Sequence, residues 1–564
     1  MVVTRYLIMK ISLIAFNARY THSSPAIFYV RNVLEAALPE AAVTLQQLTI
    51  NDPYYETLLK LTATRPDFFC FSVYIWNVGY VNKLLRDIGQ VLPATPIILG
   101  GPEATFMDRA ELPVGCTIVR GEVEGLGADF FADLKGGKLK PEYQAAAGRP
   151  FAMPYRAEDF DRFLANRNIY YESSRGCPFG CTYCLSSVAR GVQNLELAQV
   201  EAELSVILAH QPNIIRFVDR TFNASAARAL ALWRFLLAQP GATTFHFEIA
   251  PDLFTEEMLD FLATVEPGRF QFEIGLQSTN PETLAAVNRT MDLDRARHNI
   301  ERLLAADNIH LHLDLILGLP FEDKASFARS FNDVFAMRPH YVQMGLLKTL
   351  PGTAISKKKE EFGIISSGAA PYSVLATRWL DHSVMAELYL LGECVEAFYN
   401  NRFFRATFSY LRKQEENYFA FFAELLALCK RENFFELAKT QALMARILWR
   451  LADSRSDREL LVELLRYDWF RSGQHILPDF LEAASMKELK DQLWHRLPES
   501  VPPYFAKRDR REFFKRTIFY RFNKELYPEV GLESREGCLA FLAGPSVGVH
   551  NLKRTVFFAE DDWL

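Results

Sequence analysis

The sequence predicts an α/β protein in three parts: a doubly wound parallel sheet, a six-unit βα series closing as a partial barrel, and a mainly helical C-terminal region. Three observations predict it. Short apolar runs alternate with helical patterns over 10–135 and again over 169–352. A linker at 136–168, whose first part is rich in Lys, Gly, Pro and Ala, separates the two series. Beyond a second break near 351–373, with PGT and SSGAAP, the periodicity turns helical, so 370–564 reads as an extension of unknown role. Strands alternating with helices need crossover connections, which make the sheets parallel.

In the first series, 10–16 reads as a strand, and a helix follows with Ser23 or Ser24 as N-cap and Pro25 in its first turn. Residues 68–74 (FFCFSVY) read as a buried strand and 77–91 as a helix; 96–99 and 116–119 are further strands. This is a Rossmann-like domain of flavodoxin type, whose ligands sit at the carboxyl ends of the strands. Those ends carry Ser72 to Asn77, Gly100-Gly101-Pro102-Glu103 and Gly121-Glu122-Val123-Glu124. Neither a GxGxxG dinucleotide fingerprint nor a P-loop lysine motif is present.

Composition narrows the class. The chain has 564 residues, 49% apolar and 23% charged, an ordinary globular mix. Its 63 basic and 68 acidic residues give a net charge of −5, which excludes a protein that coats nucleic acid by bulk charge. No apolar run approaches the ~20 residues of a membrane span. The N-terminal apolar stretch is broken by Arg5 and Lys10 and lacks a small-residue cleavage site, so it reads as a strand rather than a signal peptide, with Met9 an alternative start. Eight cysteines are too few for a disulfide scaffold, and a reducing cytoplasm is expected.

Three of those cysteines crowd into YYESSRGCPFGCTYC as Cys177, Cys181 and Cys184. Thiolates spaced CxxxCxxC can reach one soft metal centre. A tetrahedral zinc site would recruit a fourth Cys or His, but the nearest following His is His210. Three ligands suit a four-iron cluster with one iron open; zinc and unrelated buried thiols are the competing readings. Strands at 214–219, 244–249, 270–276, 310–318 and 341–347 alternate with helices at 197–210, 225–237, 255–264, 281–288, 295–306 and 324–337. With the strand entering Cys177 they make six βα units of a TIM-type partial barrel. Asp219, Asn223, Glu248, Glu273, Gln277 and Asp314 gather at its carboxyl ends.

CPFGCTYC opening such a series resembles the radical S-adenosylmethionine (SAM) superfamily, and FEIGLQS (272–278) and DLILGLP (314–320) are similar to its barrel core. The resemblance implies that Cys177, Cys181 and Cys184 hold a [4Fe–4S] cluster, and that SAM on its open iron is cleaved to a 5′-deoxyadenosyl radical. It implies that Tyr183 lies beside the adenine and that Asp219, Glu248 and Gln277 contact SAM. A doubly wound domain ahead of the barrel resembles the cobalamin (B12)-binding subgroup, in which SVYIWN (72–77), LGGPEAT (99–105) and RGEVEG (120–125) correspond to cofactor-contacting loops. Ser72, Asn77, Gly100, Gly101, Gly121 and Glu122 are the residues so implied. The DxHxxG motif of other cobalamin proteins is missing, and His22 is the only histidine among the first 200 residues. Cobalamin is therefore expected base-off, without a His ligand.

Methyl transfer from cobalamin to an unactivated carbon of an unknown substrate is the first expectation, with an electron donor such as flavodoxin or ferredoxin. Radical cyclisation or rearrangement is the second, and a non-catalytic corrinoid carrier or sensor the third. A tRNA methylthiotransferase would need more N-terminal cysteines than Cys70 and Cys116. Residues 507–524 hold eight basic, two acidic and five aromatic residues. They read first as an amphipathic segment with a solvated basic face, and only second as an RNA contact. Cys394, Cys429 and Cys538 are isolated in sequence and read as buried small hydrophobes.

Overall fold

A computed structural model describes residues 8–188, 191–415, 417–482, 486–495, 510–542 and 554–559. The N-terminal sheet is built from β1 (Lys10–Asn17), β2 (Ala42–Thr49), β3 (Phe68–Ser72), β4 (Ile97–Gly100), β5 (Cys116–Arg120) and β6 (Glu142–Gln144). All its pairings are parallel and the order is β2-β1-β3-β4-β5-β6. The chain direction across the sheet reverses beside β1 and β3, which opens a crevice at their carboxyl ends. Alternate residues of β1 feed opposite faces. Ile11, Leu13 and Ala15 join a core continuous with the barrel, while Ile14 and Phe16 pack with Phe69, Phe71 and Leu84 on the other side.

Two of these strands are absent from the sequence reading. β2 is an edge strand whose Gln46 and Gln47 break the apolar run. β6 is three residues on the opposite edge and lies inside the segment read as linker, so the sheet extends past residue 135 to 144. The rest of that linker is not a free tether. It includes the helix Ala157–Arg162 and packs on the helix Pro25–Ala37. In the latter helix Pro25 occupies the first turn, but neither Ser23 nor Ser24 caps it with its hydroxyl. Ser23 Oγ donates instead to Asn168 O at 2.7 Å.

The barrel strands are β7 (Ile169–Tyr171), then, beyond a hairpin of β8 (Ser174–Cys177) and β9 (Gly191–Asn194), β10 (Ile214–Phe217), β11 (Thr244–Ile249), β12 (Phe270–Gln277), β13 (His310–Leu317) and β14 (Tyr341–Leu346). They form one parallel sheet, β14-β13-β12-β11-β10-β7, with six helices between them as the sequence predicts. The outward face is aromatic: Phe247, Phe270 and Phe272 pack on the fully buried Trp233 of helix Ala226–Ala238, and Phe217 stacks on Phe247. The lumen face is polar.

A two-stranded ladder, β15 (Ile365–Ser366) and β16 (Val374–Ala376), follows the barrel. The C-terminal region contains the helices His382–Cys394, Arg405–Gln414, Tyr418–Arg431, Gln441–Ala452 and Arg458–Arg471. It also contains an antiparallel sheet of β17 (Ile518–Tyr520), β18 (Gly537–Leu542) and β19 (Arg554–Ala559). The basic stretch read as one amphipathic segment divides there. Arg510–Arg516 is helical, Ile518–Tyr520 is a strand, and Phe513 and Phe514 are buried; residues 507–509 lie outside the described residues. Cys394 and Cys429, far apart in sequence, are within reach of a side-chain hydrogen bond across two helices. Among the described residues no helix is long and apolar enough to cross a membrane.

Candidate functional site

The carboxyl edge of the N-terminal sheet is shaped by Asn77, which is 1% exposed. Its Oδ1 accepts from Tyr74 N at 2.8 Å, and its Nδ2 donates to Phe16 O and Ser72 O, both at 3.1 Å. These bonds tie the ends of β1 and β3 together at the crevice, so the side chain positions the loop and is not presented to a ligand. The Ser72 hydroxyl, close to Tyr74, is buried without a partner in good hydrogen-bond geometry. Gly101 has φ +110°, and a Cβ there would meet Val73 O at 2.5 Å, so only glycine permits this turn. At Gly100 nothing lies within 4 Å of where a Cβ would be. Tyr74 and Trp76 stack with ring centroids 4.3 Å apart, and Trp76 is 46% exposed. A glycine-lined rim with an orphaned hydroxyl and a flat aromatic pair is a cradle that suits a large planar ligand.

The cysteine loop leaves the β8–β9 hairpin. Gly176 has φ +94°, and a Cβ there would lie 2.0 Å from Gly191 O, so close strand approach demands glycine. Asp219, at the end of β10, accepts from Ser173 N at 2.9 Å, Ser173 Oγ at 2.5 Å and Ser174 Oγ at 2.7 Å. Both its oxygens are thus engaged by the strand entering the loop, and burial raises its pKa against the pull of those bonds. Thr182 N donates to Val287 O at 2.9 Å, Asn288 Nδ2 donates to Gly180 O at 2.8 Å, and Ile355 N donates to Thr182 O at 3.0 Å. Arg289 Nη1 lies 3.6 Å from Cys181 Sγ, its Nη2 donates to Gly275 O, and Cys177 Sγ lies 3.6 Å from Thr221 Oγ1. Tyr183 packs against the barrel core beside Arg289 and Cys181, where burial raises its phenol.

Three soft sulfurs on one clamped loop fit a thiolate-held cluster in donor type and number. Among the described residues no group of three or more His, Cys, Asp and Glu side chains is gathered as a metal site. The fit therefore rests on the donor set and the loop, not on converged sulfurs. The barrel end supplies further unpartnered polar atoms for a ligand. Gln277 Oε1, Thr182 Oγ1 and Arg289 Nε are all buried without partners, and Gln277 sits at φ +71° where the β12–β13 register shifts.

Below this rim the lumen carries a belt of titratable groups on alternate strand positions. β11 contributes His246 and Glu248, β12 Glu273, and β13 His312 and Asp314. His246 Nε2 is 3.3 Å from Glu273 and His312 Nε2 is 3.0 Å from Asp314. Burial lowers His246, whereas for His312 the bond and charge of Asp314 outweigh burial and raise it. Burial pushes Glu248 up to about 7; Arg220, 3.9 Å away, opposes this, and Glu273 and Asp314 add to it. The folded protein therefore holds this proton at pH values where the unfolded chain has released it. This group's contribution to stability is therefore fullest below about pH 4.5 and is lost as the pH rises through 7. Glu248 is 38% open to solvent, which screens the penalty. Glu248→Gln is expected to stabilise the protein by about 1 kcal/mol at pH 8, with the gain gone near pH 4.5; thermal melts at the two pH values check this.

Arg175 joins the carboxyl edge of the N-terminal sheet to the strand that enters the cysteine loop. Its guanidinium lies 3.0 Å from Glu122, 3.0 Å from Glu124 and 2.9 Å from Glu172, and it stacks over Phe151 at 4.2 Å. Gly121 turns the chain at φ +85° just before, and Glu122 spends its carboxylate on this bridge. Burial raises the Tyr74 phenol, with the charges of Glu172 and Arg220 acting on it in opposite directions. His22 Nδ1 and Tyr170 Oη are 2.5 Å apart, a second link between the domains. Arg175 and Arg289 are absent from the sequence reading. Arg175 stands two residues before Cys177, a signal that was available; Arg289 is 108 residues from Cys181, and no local pattern marks it.

Three family models match in succession: the B12 binding domain over 11–130, the radical SAM superfamily over 171–334, and a protein of unknown function (DUF4080) over 360–541. The cobalamin-dependent radical SAM methyltransferase TokK of Streptomyces tokunonensis is 23% identical over 348 residues, 53% of this chain and 50% of that protein. The 2-(S-pantetheinyl)-carbapenam-3-carboxylate methyltransferase of Streptantibioticus cattleyicolor is 23% identical over 429 residues, 64% of this chain and 61% of that protein. The chain thus spans between half and two thirds of the length of these relatives. The cobalamin-dependent SAM radical enzyme OxsB, solved with aqua-cobalamin, matches with a TM-score of 0.54 at 15% identity, over 82% of this chain and 80% of that one. TsrM from Kitasatospora setae, solved with cobalamin and a [4Fe–4S] cluster, matches with a TM-score of 0.50 at 17% identity, over 64% and 78%. Those likenesses carry the fold: a doubly wound domain set against a partial barrel. The chain thus carries, in order, a B12 binding domain, a radical SAM domain and a C-terminal region that matches a family of unknown function (DUF4080).

Proposed function

We propose that the chain is a cobalamin-dependent radical SAM enzyme that transfers a methyl group to an unactivated carbon of its substrate. The observation that carries this reading is the facing of two ligand rims, glycine loops on one side and the three-cysteine loop on the other, bridged by Arg175. The names of the TokK and carbapenam relatives, both methyltransferases, support the reaction class. When bound, a [4Fe–4S] cluster with SAM supplies a carbon-centred radical, and cobalamin supplies a methyl carrier.

Cys177, Cys181 and Cys184 would ligate the cluster, and Arg289 would donate to the Cys181 sulfur. Tyr183, Glu248 and Gln277 would line the SAM side, while Asp219 holds the loop's entry through Ser173 and Ser174. Ser72, Gly100, Gly101 and Gly121 would present hydroxyl and backbone to the corrin, with Asn77 and Glu122 fixing the rim around them. A base-off corrin without a His ligand is supported by the engagement of His22 with Tyr170. Glu248, poised near 7, can hold or release a proton at a substrate in the lumen. The Arg175 bridge and the aromatic pair help to exclude water between the rims. A flavodoxin- or ferredoxin-type donor in a reducing cytoplasm would supply the electrons.

Anaerobic reconstitution with iron, sulfide and hydroxocobalamin tests the pairing. About four irons and one cobalt per desalted chain are expected, with 5′-deoxyadenosine formed on adding SAM and a reductant. Four irons without cobalt would remove methyl transfer from cobalamin. Products without an added methyl group would leave rearrangement in its place.

A further inference from the structure

At the opposite end of the barrel from the cysteine loop, the turns entering β13 and β14 meet the C-terminal helices around a cavity of about 520 Å³. That volume suits a small molecule and not a polymer. Its wall carries four guanidinium groups, Arg338, Arg402, Arg405 and Arg412, against two carboxylates, Glu301 and Asp307. Asp307 is already held by His340 Nε2 at 3.0 Å, with Arg405 3.8 Å away. Arg412 spends Nη1 on the Tyr399 hydroxyl at 3.0 Å, yet its Nε is buried with no partner. Burial, and after it the like charge of Arg405, pulls Arg402 down to about 10. Phe404 and Phe408, both buried, complete the wall with apolar surface.

We propose that this cavity binds a small phosphate-bearing anion at the joint between the barrel and the C-terminal region. Guanidinium is the side chain that matches phosphate oxygens two at a time, and its charge is best repaid in a site partly closed to water. Excess positive charge gathered around a concave space, four guanidiniums against two carboxylates of which one is already paired, is complementary to a multiply charged anion and not to a neutral ligand. Three of the guanidiniums come from the C-terminal region (Arg402, Arg405, Arg412) and one from the turn into β14 (Arg338), so a bound anion would tie the two parts together. The site lies away from both ligand rims, and its occupation is independent of the chemistry proposed there.

The test uses the full chain and inorganic phosphate and pyrophosphate as probes, followed by calorimetry and by the melting temperature. Saturable binding of either probe is expected, with a rise in melting temperature that sodium chloride at the same ionic strength does not reproduce. Arg405→Glu and Arg338→Glu should each weaken it by at least about tenfold. Both side chains are exposed enough for the variants to fold, and circular dichroism without phosphate confirms that. Arg431→Glu, an equal charge change at the end of another helix, should bind as the wild type does. Should Arg405→Glu fail to fold, Arg338→Glu decides alone. Equal shifts from sodium chloride, or wild-type binding in the Arg338 and Arg405 variants, would overturn the proposal.

Discussion

Alanine at Cys177, Cys181 or Cys184 is expected to reduce reconstituted iron from about four atoms per chain to below one, and to abolish SAM cleavage. A four-iron cluster held by three thiolates has no spare protein ligand, and each loss leaves a second iron open to solvent. The loop itself does not depend on the sulfurs for its shape. Backbone bonds from Thr182 to Val287 and from Ile355 to Thr182, together with the Asn288 side chain on Gly180, hold it without using the sulfurs. Cys177 and Cys184 are only half-buried, so their variants should melt close to the unreconstituted wild type; Cys181, 6% exposed, should cost more. Cys70→Ala and Cys394→Ala serve as controls and should keep the full iron content. A full cluster in any of the three loop variants would refute the ligand assignment. Iron analysis beside the charge-transfer absorbance of the anaerobic protein makes the measurement.

The barrel was legible because four of its six strands run six to eight residues and alternate apolar with polar positions, while the first was placed by the cysteine motif it enters. The N-terminal sheet was legible only at its centre. Edge strands pack on one side, and β2 and β6 accordingly carry Gln and Glu where a central strand carries Phe or Ile. In the C-terminal region β18 is six buried residues with no polar alternation, which sequence cannot separate from a buried helix turn, and its neighbours pair only through distant contacts. At the site, residue type was readable but partners were not. Asp219 and Asn77 are polar residues at strand ends, as a ligand contact would be, yet their hydrogen bonds go to Ser173, Ser174, Phe16 and Ser72. A single chain does not announce which strand-end carboxylates are already spent. Arg289 shows the converse: its meaning comes entirely from Cys181 and Gly275, neither near it in sequence.

Arg31→Met is expected to lower stability by about 3–5 kcal/mol, among the largest single-residue losses outside the cluster loop. Arg31, on the helix Pro25–Ala37, meets Asp159 in a two-pronged pair of 2.6 and 2.7 Å, and its Nη2 also donates to Pro154 O at 3.1 Å. The two side chains are 5% and 0% exposed. Removing the cation strands a carboxylate whose one other bonded donor among the described residues is Arg156 N, at 2.8 Å. That carboxylate would be left buried without a balancing charge, which is costly. The pair fastens the segment before β7 to the N-terminal domain, beside the ion pair of Arg156 with Glu35 at 2.5 Å. Its loss should therefore loosen the facing of the two ligand rims as well as lower the melting temperature. Asp159→Leu alone should cost a similar amount by orphaning the guanidinium. In the double variant no charge is left buried, and the loss should fall well short of the sum of the singles. Melts of the four proteins decide it. Additive losses would mean that the two side chains act separately, and a loss under about 1 kcal/mol for Arg31→Met would place the pair among surface ion pairs in energy despite its burial.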